Sequence, residues 1–160
     1  LALGVPAEAI VRGLAAFEPV NGRLRRTHTA QGVLLIDDTY NANPDSMRAA
    51  IDVLADQPAP RLLVMGDMGE TGAQAEAFHR EVGEYAVSRA IEQVWAVGKD
   101  MKAAAQAGGV QHWETVEALL AEHPQAPAGI ASILVKGSRF MKMERVVRAW
   151  AETASPQGEH

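Results

Sequence analysis

The sequence predicts an α/β domain: a mainly parallel sheet of about six strands, one antiparallel edge strand, and helices on both faces. Three observations lead there. Short apolar runs rich in branched residues, at 33–36, 62–65, 94–97 and 130–135, read as strands buried on both sides. Helical patterns alternate with them, without an internal repeat. Each run also ends in a polar loop: Asp37 to Pro44, Gly66 to Glu70, Gly98-Lys99, and Lys136 to Arg139. In a parallel sheet those loops share the rim where ligands bind.

Composition narrows the classes. The chain has 160 residues, enough for one domain with a substantial core. Apolar residues make up 48% and aromatics only 5%, so the core is mostly aliphatic. A formal charge of −5 argues against non-specific nucleic-acid or anionic-membrane binding. There is no cysteine, which excludes disulfides and thiolate metal sites and fits a cytoplasmic protein. No apolar run approaches the roughly 20 residues a bilayer span needs, and no signal peptide is visible. The chain begins at Leu1, inside a helical pattern, as expected of a piece of a longer protein.

In chain order, 7–17 has helical spacing with Ile10, Leu14 and Phe17 on one face, and 1–20 is expected to be an entry helix and linker. The domain is expected at 21–154. The segments 23–29 and 33–38, joined through Gln31-Gly32, read as an antiparallel hairpin. Arg25 and Arg26 suit a solvated edge strand, whereas Arg23, after Gly22 at the hairpin mouth, suits phosphate. Asn43 is a good N-cap, and Pro44 fits the first turn of the helix running to Ala55. A helix is expected from about 72 to 90, with Phe78, Val82, Tyr85 and Ala86 toward the sheet and His79 near its middle. An Ala-rich helix to Ala107 precedes a short strand at 110–113. Thr115 caps a helix to Glu122, and the last helix is expected at 141–154. The polar tail 155–160 is expected to be disordered.

The rim carries mixed chemistry. Asp37, Asp38, Asp67 and Glu70 can hold a cation, ribose hydroxyls or an ammonium group, and Arg23, Lys99, Lys136 and Arg139 can hold phosphate or carboxylate. Opposite charges on one rim can also simply pair. The chain has no GxSxG elbow, no P-loop and no GxGxxG. No catalytic residue stands out, and the five histidines sit in unrelated contexts, so no metal site is expected.

Taken together, Gly22-Arg23, DDTYNANPDSM, GDMGE and KGSRFMKME resemble the C-terminal domain of a Mur ligase over nearly the whole chain. YNANP points within that family to the branch that adds D-alanyl-D-alanine to UDP-N-acetylmuramoyl-tripeptide. The resemblance implies a Rossmann-like three-layer sandwich. It also implies a bacterial cytoplasmic ligase of peptidoglycan synthesis that activates a peptide carboxylate as an acyl phosphate with ATP. N-terminal and central domains are implied as partners, the central one holding the P-loop and most of the Mg²⁺ contacts. This domain alone is then expected to be inactive. By the same resemblance, Arg23, Asp38, Asn41 and Asn43 are expected at ATP, with Asn41 and Asn43 also near the incoming amine, and Tyr40, Lys136, Ser138 and Arg139 at the incoming dipeptide. Asp67 and Glu70 match a motif that serves helix capping as readily as binding. Two alternatives stand beside this: phosphoryl transfer of the haloacid-dehalogenase type, and a non-catalytic ligand-binding module.

Overall fold

The structure, a computed structural model, describes residues 21–151. The expected entry helix at 7–17 and the tail at 155–160 lie outside the described residues. Within them, six strands form one sheet: β1 (Arg25–His28), β2 (Leu34–Asp38), β3 (Arg61–Gly66), β4 (Gln93–Val97), β5 (Val110–Trp113) and β6 (Ser132–Lys136). Their spatial order is β1-β2-β6-β3-β4-β5. Only β1 runs antiparallel, against β2, and every other pair is parallel. The mainly parallel α/β sheet with one antiparallel edge strand is therefore the observed architecture.

The helices are α1 (Pro44–Ala55), α2 (Ala75–Ser88), α3 (Val116–Glu122) and α4 (Glu144–Trp150), with 3-10 segments at Gly72–Gln74, Asp100–Ala107 and Arg139–Met141. Strand alternation divides the core in two. Ile36, Leu63, Met65 and Leu134 face α1, α2 and the Asp100–Ala107 segment. Leu35, Leu62, Val64 and Val135 face α3 and α4. α1 begins as its sequence dictates. The Asn43 side chain accepts from the Ser46 amide, Ser46 returns a bond to the Asn43 N–H, and Pro44 occupies the first turn. Thr115 caps α3 through the Ala118 amide.

Two helical expectations need correction, and a third is extended. The Ala-rich stretch at Asp100–Ala107 is a 3-10 helix and closes on Gly108. α2 packs Val82 and Ala86 into the core with Phe78 and Tyr85 partly buried against it, as expected, and it also buries His79 and Gly83. Gly83 permits close packing, because a Cβ there would lie 2.7 Å from the Ala104 carbonyl oxygen. Without that Cβ, the 3-10 segment lies directly on the helix. The last helix ends at Trp150, because Ala151 becomes extended and bridges Thr29.

The position of β6 organises the rim. The chain leaves β2 and β3 for one face of the sheet and leaves β6, which lies between them, for the other. Each junction is therefore a topological switch point, where a crevice opens beyond the strand ends.

Opposite the rim, Arg61 clamps Glu92 with two side-chain bonds of 3.0 Å and also donates to the Ala55 and Ala90 carbonyls. Hydrogen bonding from Arg61 holds the Glu92 carboxyl down, from 4.5 to about 2. Because the folded state lowers this pKa, the pair stabilises the fold fully above 4.5 and loses that contribution as pH falls toward about 2. Thermal melts across that acid range should therefore show Glu92→Gln with a shallower pH dependence than the parent, and with lower stability at neutral pH.

Candidate functional site

The floor of the rim is a buried ion pair. Parallel register sets Asp38 opposite Lys136. The Lys136 ammonium donates to Asp38 Oδ2 at 2.7 Å and to the Asn41 carbonyl at 2.8 Å. Asp38 Oδ1 accepts the Leu24 amide at 3.3 Å. Lys136 is only 3% exposed. These two expected ligands thus hold one another and tie together the hairpin mouth, the β2 loop and β6.

Above the floor lie two cavities that share Tyr40 and Arg139. The larger, about 890 Å³, lies between the loops after β2, β3 and β6, and its walls include Asn41, Asn43, Gly69, Ser138 and Phe140. Ser138 joins these loops. Its hydroxyl donates to the Ala42 carbonyl at 3.1 Å and accepts the Gly69 amide at 2.6 Å. Its own amide donates to the Asp67 carbonyl at 3.0 Å. Asn43 is occupied as a helix cap, and Asn41 Oδ1 accepts the Ala42 amide. Arg139 is exposed, with Glu144 only loosely paired at 3.7 Å, so its guanidinium can take a ligand carboxylate. Phe140, 62% exposed, supplies an apolar edge.

The smaller cavity, about 530 Å³, opens between the hairpin and α4, with Arg25, Asp37, Thr39, Glu144 and Arg148 among its walls. Asp37 Oδ1 takes both the Thr39 amide and the Thr39 hydroxyl, at 3.2 and 2.6 Å. Arg23 stacks over the Tyr40 ring, 4.3 Å from its centre. Glu144 and Arg148 were not singled out from sequence, and Asp37 was read only as one of four rim carboxylates, without the cleft it lines. Strand periodicity was the available signal for Asp37. Neighbours on a strand point to opposite faces, so Asp38 turns to Lys136 and Asp37 to the open cleft. The same geometry counts against a dehalogenase-type pair of acids, which needs both carboxylates on one side.

The fourth polar loop does not join them. β4 lies beyond β3, and Lys99 lines a separate shallow cleft with Glu76 and Lys102. Asp67 is buried beneath the rim, where Oδ1 accepts the Met101 amide at 2.8 Å, making it a cap for the 3-10 segment. Burial pushes its carboxyl above the usual range, partly offset by the Met101 and Asp100 amides. Gly98, at φ +123°, makes room for it, since a Cβ there would lie 2.3 Å from Asp67 Oδ1. Glu70 is exposed on the edge of the larger cavity. Among the described residues, no three His, Asp or Glu side chains are grouped to hold a metal ion, and no helix is long and apolar enough to cross a membrane.

The family model for the Mur ligase, glutamate ligase domain, matches residues 22–139. The chain is 44% identical over 158 residues to the UDP-N-acetylmuramoyl-tripeptide–D-alanyl-D-alanine ligase of Escherichia coli K12, covering 97% of this chain and 35% of that protein. It therefore spans about a third of the length of the curated relative. A crystal structure of MurF from Acinetobacter baumannii superposes with a TM-score of 0.75 at 37% identity, over 92% of this chain and 33% of that one. The MurF ligase of Thermotoga maritima in complex with ADP shares the fold, with a TM-score of 0.72 at 24% identity, over 88% of this chain and 35% of that one.

The buried pair makes a direct stability test. Asp38→Asn leaves the Lys136 ammonium uncompensated and should lower unfolding free energy by about 3 kcal/mol. Adding Lys136→Met should recover most of that loss. Urea denaturation of the two variants and the parent measures both effects.

Proposed function

The chain belongs to the Mur ligase family, and on that premise we propose that it is the C-terminal part of a ligase that adds D-alanyl-D-alanine to UDP-N-acetylmuramoyl-tripeptide. ATP activates the tripeptide carboxylate as an acyl phosphate. The dipeptide amine attacks the acyl carbon, and phosphate leaves as the amide forms. Such chemistry depends on positioning and charge stabilisation more than on a protein nucleophile. The absence of an activated serine or cysteine from the motifs is in keeping with that.

One observation carries the proposal. Ser138 stitches three rim loops into a cavity large enough for a dipeptide, with the exposed Arg139 guanidinium at its edge. Arg139 takes the dipeptide carboxylate, and Phe140 and Ala42 face its methyl groups. Tyr40, Asn41 and Asn43 border the amine end. Arg23, stacked on Tyr40 at the ridge between the cavities, faces the phosphates of ATP. Asp37 lines the open cleft and suits the ribose hydroxyls. Asp38 keeps both oxygens engaged and acts there through Lys136. Asp38 and Asp67 are likewise engaged, so in this reading Mg²⁺ belongs to the parts of the ligase beyond this chain. Closure of this domain over the other two completes the site and excludes water, which suits an acyl phosphate intermediate. On its own the domain is inactive, and the full ligase works in the bacterial cytoplasm.

Amide NMR titration of this chain with D-alanyl-D-alanine should shift Asn41, Asn43, Ser138 and Arg139, and the L,L dipeptide should not. Equal shifts with both dipeptides would overturn the acceptor assignment. In the complete ligase, Arg139→Ala should raise KM for the dipeptide about tenfold or more and leave KM for ATP nearly unchanged. Asp37→Asn should show the reverse pattern in steady-state assays.

A further inference from the structure

His79 is fully buried in α2, and nothing in the ligase chemistry calls on it. Its two ring nitrogens have partners of fixed polarity. Nδ1 lies 2.6 Å from the Ala75 carbonyl oxygen, which can only accept. Nε2 lies 2.9 Å from the Met68 amide nitrogen, which can only donate. The ring is therefore neutral, with its proton on Nδ1 and a bare Nε2. The protonated ring would set two donors against each other at Met68.

Met68 leads straight into the cavity wall. The next amide, Gly69 N–H, donates to Ser138 Oγ, while the Ser138 hydroxyl proton goes to the Ala42 carbonyl. Both bonds fix the polarity of Ser138. Its proton is spent, one lone pair is used, and what remains for a ligand is an acceptor. A dipeptide amine has N–H groups to meet it. The direction of the Gly69 amide thus depends on the preceding peptide, and that peptide is held by His79.

Resting on the function proposed above, we propose that His79 is a positioning residue for the acceptor amine. Its Nδ1–H tautomer orients the Met68-Gly69 backbone so that Ser138 presents an acceptor to the incoming dipeptide. His79 itself touches no substrate. Apolar replacement leaves the Met68 amide buried without a partner and frees the loop to turn. Glutamine can place its carbonyl oxygen near the Nε2 position and keep that bond.

The tautomer is tested first, by ¹⁵N-detected imidazole NMR of the wild-type chain. A protonated Nδ1 with a bare Nε2 supports the proposal, and a protonated Nε2 overturns it whatever the variants do. Kinetics of the complete ligase follow, with His79→Leu and His79→Gln. In His79→Leu, KM for D-alanyl-D-alanine should rise about tenfold while KM for ATP stays within about twofold, and His79→Gln should restore most of the loss. Parallel changes in both KM values, or no difference between Leu and Gln, would show a merely structural histidine. Wild-type turnover of D-alanyl-D-alanine is the control. If it is missing, the function proposed above fails; if it is present and His79→Leu behaves as wild type, the positioning role alone fails.

Discussion

Everything at the rim rests on one buried ion pair. Lys136 and Asp38 sit opposite each other because β2 and β6 run parallel in register. A lysine ammonium this deeply placed is tolerable only when its charge is met and its hydrogens are bonded. Asp38 meets the charge, and the Asn41 carbonyl takes a second hydrogen. The same carboxylate reaches back to the Leu24 amide, so the hairpin mouth is drawn to the centre of the sheet. The pair gives the β2 loop a fixed origin, and the polar loop residues can then be placed by short-range bonds.

Those bonds form a second tier. Asp37 curls onto Thr39, Asn43 caps α1, and Ser138 connects the loops after β2, β3 and β6. Most polar groups on the rim are therefore committed to holding backbone. Groups left exposed there include Arg23 stacked on Tyr40, Arg139, Phe140 and Glu70. A site of this kind suits group transfer by positioning, in which the protein supplies orientation and charge while the reactants supply the chemistry. It also suits a domain that acts by closing, because groups left exposed on one half of a cleft acquire partners only when the other half arrives.

The two cavities differ in character. The larger combines an apolar edge with a guanidinium, and the smaller combines carboxylates with arginines. Their separation follows from the switch points on either side of β6. Tyr40 and Arg139 lie on the ridge between them and line both.

Much of the fold could be read from residues alone. Branched apolar runs marked the buried strands, Gln31-Gly32 and the arginines marked the edge hairpin, and Asn43-Pro44 and Thr115 marked helix starts, because these signals depend on a few neighbouring residues. The motifs likewise placed the chain in the Mur ligase family. Other features depended on contacts between distant segments. The seating of α2 on the Asp100–Ala107 segment depends on how closely Gly83 lets Ala104 approach. The early end of the last helix follows from the bridge between Ala151 and Thr29. Sequence placed Asp38 and Lys136 among the ligands, and only the pairing of β2 with β6 showed that they satisfy one another. It listed Lys99 with the other strand-end cations, and only the order of strands set it apart. Local chemistry determined which residues are able to bind. The sheet, by deciding which of them meet each other first, determined which remain for a ligand.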